Sequence, residues 1–138
     1  MFKSILVAYD GSEPAERALD YACRMATRLG ARVEVLWVTP APAFADQAEL
    51  AAVLKERGDR AEQISRRLRF RATTDGTQLE FRPQIGQPVE QIINRASEFA
   101  AELIVMGHHA LSPPERWFNS STTRAVMDRS RRPVLVVP

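Results

Sequence analysis

Cysteine occurs once in this chain of 138 residues, at Cys23, so no internal disulfide can form. The expected setting is reducing. Histidine occurs only as the neighbours His108 and His109. Adjacent loop residues splay apart, and zinc needs three or four protein ligands, so no metal centre is expected. Lysine is nearly absent, with Lys3 and Lys55 alone, so arginine supplies almost all of the 19 basic residues facing 17 acidic ones. The formal net charge is +2 and the arginines are spread along the chain. A nucleic-acid surface gathers its cations on one face; the spread reads as solvated surface, and no nucleic-acid partner is expected. No apolar run approaches the ~18 residues of a membrane span. The roughly five apolar residues after Met1-Phe2-Lys3 are too few for a signal-peptide core. The expectation is a cytoplasmic protein without a membrane partner.

Motifs are missing as well. The patterns GxxxxGK[ST], GxGxxG and GxSxG do not occur, which removes the phosphate loop, the dinucleotide fingerprint and the hydrolase elbow. Nothing supports nucleophilic catalysis.

What is present is 45% hydrophobic and 26% charged, the balance of a globular domain. One domain over residues 1–138 would bury about two-thirds of its unfolded surface. Apolar runs over residues 3–9, 32–38, 78–85, 103–106 and 133–137 read as strands. Between them run helical patterns. Ser12 caps the first, with Pro14 in its first turn and Gly30 at its end. Cys23, beside Leu19, Ala22 and Ala26, reads as a buried structural thiol. The second spans about 46–70 and is interrupted by Gly58; the signal Asp75-Gly76 then marks a turn. The third opens at Gly86-Gln87-Pro88 and presents Val89, Ile92, Ile93, Ala96 and Ala100. A last helix lies near 121–130. Strands alternating with helices predict an α/β fold with a parallel sheet covered on both faces, and the flavodoxin-like order is among the few topologies that right-handed crossovers allow.

Two turns carry polar groups. Asp10-Gly11-Ser12 follows the first strand, where an acid can accept hydrogen bonds from a ribose or an adenine amino group. It can also simply shape the turn. A phosphoacceptor role would need further acids and a late lysine, and neither is there. The second is the segment 107–123. Ser112-Pro113-Pro114-Glu115 forms a capping box ahead of Arg116-Trp117-Phe118. Ser120, Ser121, Thr122 and Thr123 bring hydroxyls to the start of the last helix, where free N–H groups suit an anion. Equally, one hydroxyl can serve only as a cap.

The runs Ile5-Leu6-Val7-Ala8-Tyr9-Asp10-Gly11-Ser12, Gly86-Gln87-Pro88, Ile104-Val105-Met106-Gly107 and Arg132-Pro133-Val134-Leu135-Val136-Val137 together resemble the universal stress protein family, over nearly the whole chain. The resemblance implies a single-domain Rossmann-like, five-stranded parallel sheet in the order 3-2-1-4-5. It also implies a homodimer through the last strand, residues 133–137. Nucleotide-binding members carry G-x2-G-x9-G-[ST]. Here Gly107 matches the first glycine, whereas Ala110 and Ser120 replace the other two and Ser121 supplies the hydroxyl. By resemblance Asp10 contacts adenosine and Val38 offers backbone to adenine. Ala8 and Met106 line the site, and Gly107, His109, Ala110, Ser120, Ser121, Thr122 and Thr123 surround the phosphates. If positions 110 and 120 need positive φ, each substitution costs about 1–2 kcal/mol, which sums to roughly 30- to 1000-fold in affinity.

Two functions stay open. One is a stress-response module with a degenerate pocket for ATP, any magnesium merely accompanying the nucleotide. The other is a dimeric interaction protein whose pocket is empty or takes a phosphate-like anion. Neither is an enzyme beyond feeble ATP hydrolysis.

Overall fold

The computed structural model describes residues 1–40, 46–108 and 120–138, with only the backbone at Ser120. The elements run β1 (Ser4–Tyr9), α1 (Glu13–Leu29), β2 (Arg32–Thr39), α2 (Gln47–Asp75), β3 (Gln78–Ile85), α3 (Pro88–Glu98), β4 (Leu103–Gly107), α4 (Ser120–Arg129) and β5 (Val134–Val137). They form one parallel sheet in the order β3-β2-β1-β4-β5, the order that the resemblance implies.

Helix boundaries follow the local chemistry. The Ser12 hydroxyl accepts from the Ala15 N–H at 3.2 Å, and Gly30 closes α1 in the left-handed region. Asp46 accepts from the Glu49 N–H at 2.8 Å and so opens α2. Gly76, at φ 71°, closes it. Two expectations need correction. Gly58 does not interrupt α2, which is continuous, and the helix ends at Asp75 rather than near 70. Arg71 pairs with Asp75 one turn on, and the Thr73 and Thr74 hydroxyls bond back to carbonyls four residues earlier, which carries the helix to its glycine. Ala100 lies beyond α3, at φ 54°, in the bend that leads towards β4.

Alternation along the strands makes two cores. Ile5, Val7 and Tyr9 pack with α1 residues Ala18, Leu19 and Ala22 and with Ile64 and Leu68 of α2. Leu6 and Ala8 pack on the other side with Ile92 and Ala96 of α3 and Val126 of α4. Cys23 sits in the first core, 1% exposed, and burial pushes its thiol up to about 11. The edge strand β3 tolerates Pro83 because the Gly86 N–H donates to Thr39 of β2; by alternation the Pro83 nitrogen faces away from the neighbouring strand. Among the described residues no helix is long and apolar enough to cross a membrane.

A charged group stands inside the second core. Glu34 on β2 is 0% exposed and is held by Arg82 of β3 and by Arg95 of α3 at 2.8 Å. Arg95 also reaches Glu98, and Arg32 lies 4.4 Å over the Phe99 ring. Replacing Glu34 with alanine strands two guanidiniums that keep some access to water. Urea unfolding should show Glu34→Ala less stable by about 2–4 kcal/mol, near the lower end for breaking a buried pair. An unchanged midpoint would show that the cluster contributes nothing.

Candidate functional site

The topology selects the place. From β1 the chain steps outward through β2 to β3, then crosses back to β4 and β5 on the other side. The carboxyl ends of β1 and β4 therefore lie at the switch point of the sheet, the usual ligand position in an open α/β fold.

Asp10 leaves β1 at this point. Its Oδ1 accepts from the Ser12 N–H at 2.9 Å, so one oxygen does shape the turn. Gly11, at φ 80°, permits the reversal. The other oxygen, Oδ2, is buried without a hydrogen-bond partner. Two more buried polar atoms share this condition, His108 Nδ1 and Thr123 Oγ1. Leu6 and Ala8 of β1, Ile104 and Met106 of β4, and Val126 of α4 all line the α3/α4 core. Extending the strand alternation puts Asp10 and His108 on that same side, and Thr123 lies one helical turn before Val126. Ala8 and Met106 are register partners, both fully buried, two residues before Asp10 and His108 on the same side of the sheet.

Val38 lies on the β2 side of this switch point. The Arg32 N–H bonds towards β1, through Lys3, and the Thr39 carbonyl bonds towards β3, through Gly86. Alternation turns the backbone groups of Val38 to the β1 side, one residue past the last registered pair, Tyr9 and Trp37. Below Gly11, the Tyr9 hydroxyl sits between Glu16 and Arg67 and accepts from the latter at 2.7 Å. Burial, then the hydrogen bond to Glu16, raises the phenol well above its ordinary range. This cluster ties α1 to α2 and is structural.

The predicted phosphate end divides. His109 and Ala110, like the capping box at 112–115 and the turn at 116–118, lie outside the described residues. Thr123 is buried, Ser121 is exposed and Thr122 is intermediate and already partnered. Ser120 opens α4 in helical backbone and is not among the residues with positive φ, so the strain expected at that position is absent. Gly107 has a structural duty that its motif position did not reveal. A Cβ there would stand 2.5 Å from the Pro14 carbonyl carbon and 2.6 Å from the Ala15 nitrogen. The glycine lets the end of β4 lie against the start of α1. His108 was not among the residues that the resemblance assigns to the site. The period of two from Ile104 through Met106 was the signal that could have found it. Its N–H donates to the Val137 carbonyl at 2.8 Å, which fixes its backbone beside β5. Among the described residues no group of three or more His, Cys, Asp or Glu is placed to hold a metal.

Comparison with known proteins bears on the same frame. The model of the "Universal stress protein family" matches residues 1–138. A universal stress protein of Thermus aquaticus, encoded 3′ of a QAH/OAS sulfhydrylase, is 36% identical over 138 residues and 99% of both chains. The solved universal stress protein UspA from Lactobacillus plantarum superimposes with a TM-score of 0.84 at 30% identity, over 99% of this chain and 98% of its own. A universal stress protein solved in complex with cAMP gives 0.75 at 28% identity, over 99% of this chain and 97% of its own.

Adding one methyl group tests the contact at Gly107. Gly107→Ala should lower stability by about 1–3 kcal/mol, because the obstacle is helix backbone and cannot rotate away. Differential scanning calorimetry would show the lowered melting temperature. An unshifted transition would mean that β4 and α1 are free to part.

Proposed function

We propose an adenine-nucleotide-responsive regulatory module as the function of this chain, which belongs to the universal stress protein family. The observation that carries the proposal is the set of three buried, unpartnered polar atoms on β1, β4 and α4: Asp10 Oδ2, His108 Nδ1 and Thr123 Oγ1. Leaving such groups unpaired costs about 1–3 kcal/mol each; a polar ligand recovers that. A relative that superimposes over 99% of this chain is described in complex with cAMP, an adenine nucleotide.

In this reading Asp10 Oδ2 accepts from a ribose hydroxyl or the adenine amino group, and Val38 offers backbone to the base. Ala8 and Met106 form the apolar floor. The amides at the start of α4, with Ser121, Thr122 and Thr123, take the phosphate, alongside Gly107, His109, Ala110 and Ser120. Magnesium enters only with the nucleotide, and the nucleotide is an effector rather than a substrate. Binding is weak, and the deficit rests on Ala110, since Ser120 is helical. The second reading, a dimeric interaction protein that binds no nucleotide, is favoured by that same alanine. In both readings the working site is cytoplasmic and the protein is a homodimer through β5, an edge strand whose free backbone invites a partner.

Titration calorimetry with ATP and cAMP separates the readings. Ala110→Gly should tighten binding about 5- to 30-fold, the return of 1–2 kcal/mol of backbone strain. Ser120→Gly should change it little. Asp10→Asn, which keeps the turn acceptor but removes the charge, should weaken it at least tenfold. If neither the wild type nor Ala110→Gly binds at millimolar nucleotide, the interaction-protein reading replaces this one.

Assembly is tested separately by sedimentation velocity. The wild type should run as a dimer at micromolar concentration, and Val136→Asp should shift it towards monomer. A monomeric wild type would overturn the β5 interface.

A further inference from the structure

The sheet supports only the second half of α2. Ile64 and Leu68 are its buried residues, while the turns before them overhang the ends of β2 and β3. Beneath this overhang is a groove of about 510 Å³, within the size range of small-molecule sites. Leu54, Ala61, Pro83, Ile85 and Trp37 give it apolar walls. Trp37 is braced from behind by the stacked Phe81 ring, with centroids 6.2 Å apart. Leu54 and Ile85 remain 45% and 51% exposed, an apolar rim that nothing described covers.

One full charge lines the groove, the guanidinium of Arg57, 5.7 Å from the centre of the Trp37 ring. Of the other arginines on α2, Arg67 pairs with Glu16 and Arg71 with Asp20 and Asp75, whereas Arg60 lies beside Gly11 in a cleft that also contains Glu16. Arg57 forms no ion pair among the described residues, and no acid lines the groove with it. Partial burial lowers its pKa, yet a guanidinium stays charged. Gly58 adds a second sign. A Cβ on it meets no atom within 4 Å, so packing does not account for a glycine in mid-helix. Its missing side chain leaves the groove open.

We infer that this groove is a second ligand site, for a small molecule with an apolar or aromatic body and a single anionic head. The head pairs with Arg57 and the body lies along Trp37, Pro83 and Ile85. One cation in apolar walls does not suit a polyphosphate, which needs several donors. The site is also separate from the proposed nucleotide site. Val38 packs in the α3/α4 core, whereas its neighbour Thr39 lines this groove, and successive strand residues face opposite sides of the sheet.

8-Anilinonaphthalene-1-sulfonate, an aromatic body with one sulfonate, serves as the probe. In full-length Trp117→Phe protein, Trp37 is the only tryptophan left. Saturable binding with energy transfer from Trp37 is expected. Arg57→Gln should weaken it at least tenfold, and Arg57→Lys should keep part of the affinity. Arg69→Gln, which removes an equal charge elsewhere on α2, should leave it within twofold. Gly58→Leu should abolish binding while the melting temperature holds or rises, since leucine favours the helix and meets open space. Excess ATP should not displace the probe. Unaltered binding in both Arg57→Gln and Gly58→Leu, binding that never saturates, or one-for-one displacement by ATP would each overturn the proposal.

Discussion

β1 has no side that faces water. Its residues from Ser4 to Tyr9 are all buried, it pairs with β2 on one edge and β4 on the other, and a helical layer covers each face. Each fully buried aliphatic side chain there contributes roughly 1.5–3 kcal/mol. The other elements build outward from this strand: β2 and β4 pair with its edges, helices cover its faces, and β3 and β5 extend the sheet from β2 and β4. The same arrangement sets the switch point. Where β1 ends, the turn at Gly11 carries the chain to α1 on one side, while β4 runs on to Gly107 against the start of α1. The candidate site lies at the tips of β1 and β4.

Polar atoms in the interior fall into two groups. Those within the layers are paired. Glu34 is held by two arginines, the Ser4 hydroxyl donates to the Ala100 carbonyl at 2.6 Å, and the Tyr9 hydroxyl is shared by Glu16 and Arg67. Those without partners belong to Asp10, His108 and Thr123. Among the described residues, unmet hydrogen-bonding capacity is therefore concentrated near the sheet's switch point.

Arginine does the work that lysine does elsewhere. Its planar fork binds carboxylates in fixed geometry, and the chain uses it to pin long or overhanging elements. Arg71 reaches Asp20 on α1 and Asp75 on its own helix, Arg95 ties α3 to β2, and Arg129 joins α4 to Glu90 on α3. Arg57 differs from these three in lining an apolar groove with no ion pair among the described residues.

The local features were legible in the residues themselves. Apolar runs placed the five strands, Ser12 opened α1 and Gly30 closed it, because strand burial and capping depend on neighbours in the chain; Gly76 read as a turn, and only the structure shows that it ends α2. The Asp10 turn was legible for the same reason. Relations across the sheet were not. Gly107 reads as a motif glycine, and only the nearness of the Pro14 backbone, 2.5 Å from where a Cβ would stand, shows that it seats a strand on a helix. Glu34 reads as an ordinary strand acid until Arg82 and Arg95 converge on it. Leu50 and Leu54 carry helical spacing like Ile64 and Leu68, yet the first pair is exposed and the second buried. Periodicity reports which side of an element is apolar; whether anything lies opposite depends on where the sheet ends. His108 emerged for a like reason, since the strand's alternation continues only if the backbone stays extended past Gly107. The sequence by itself therefore determined the elements, their caps and the order of the layers. The tertiary structure alone decided which polar atoms were left without partners and which apolar surfaces without cover, because those depend on groups distant in the chain meeting or failing to meet.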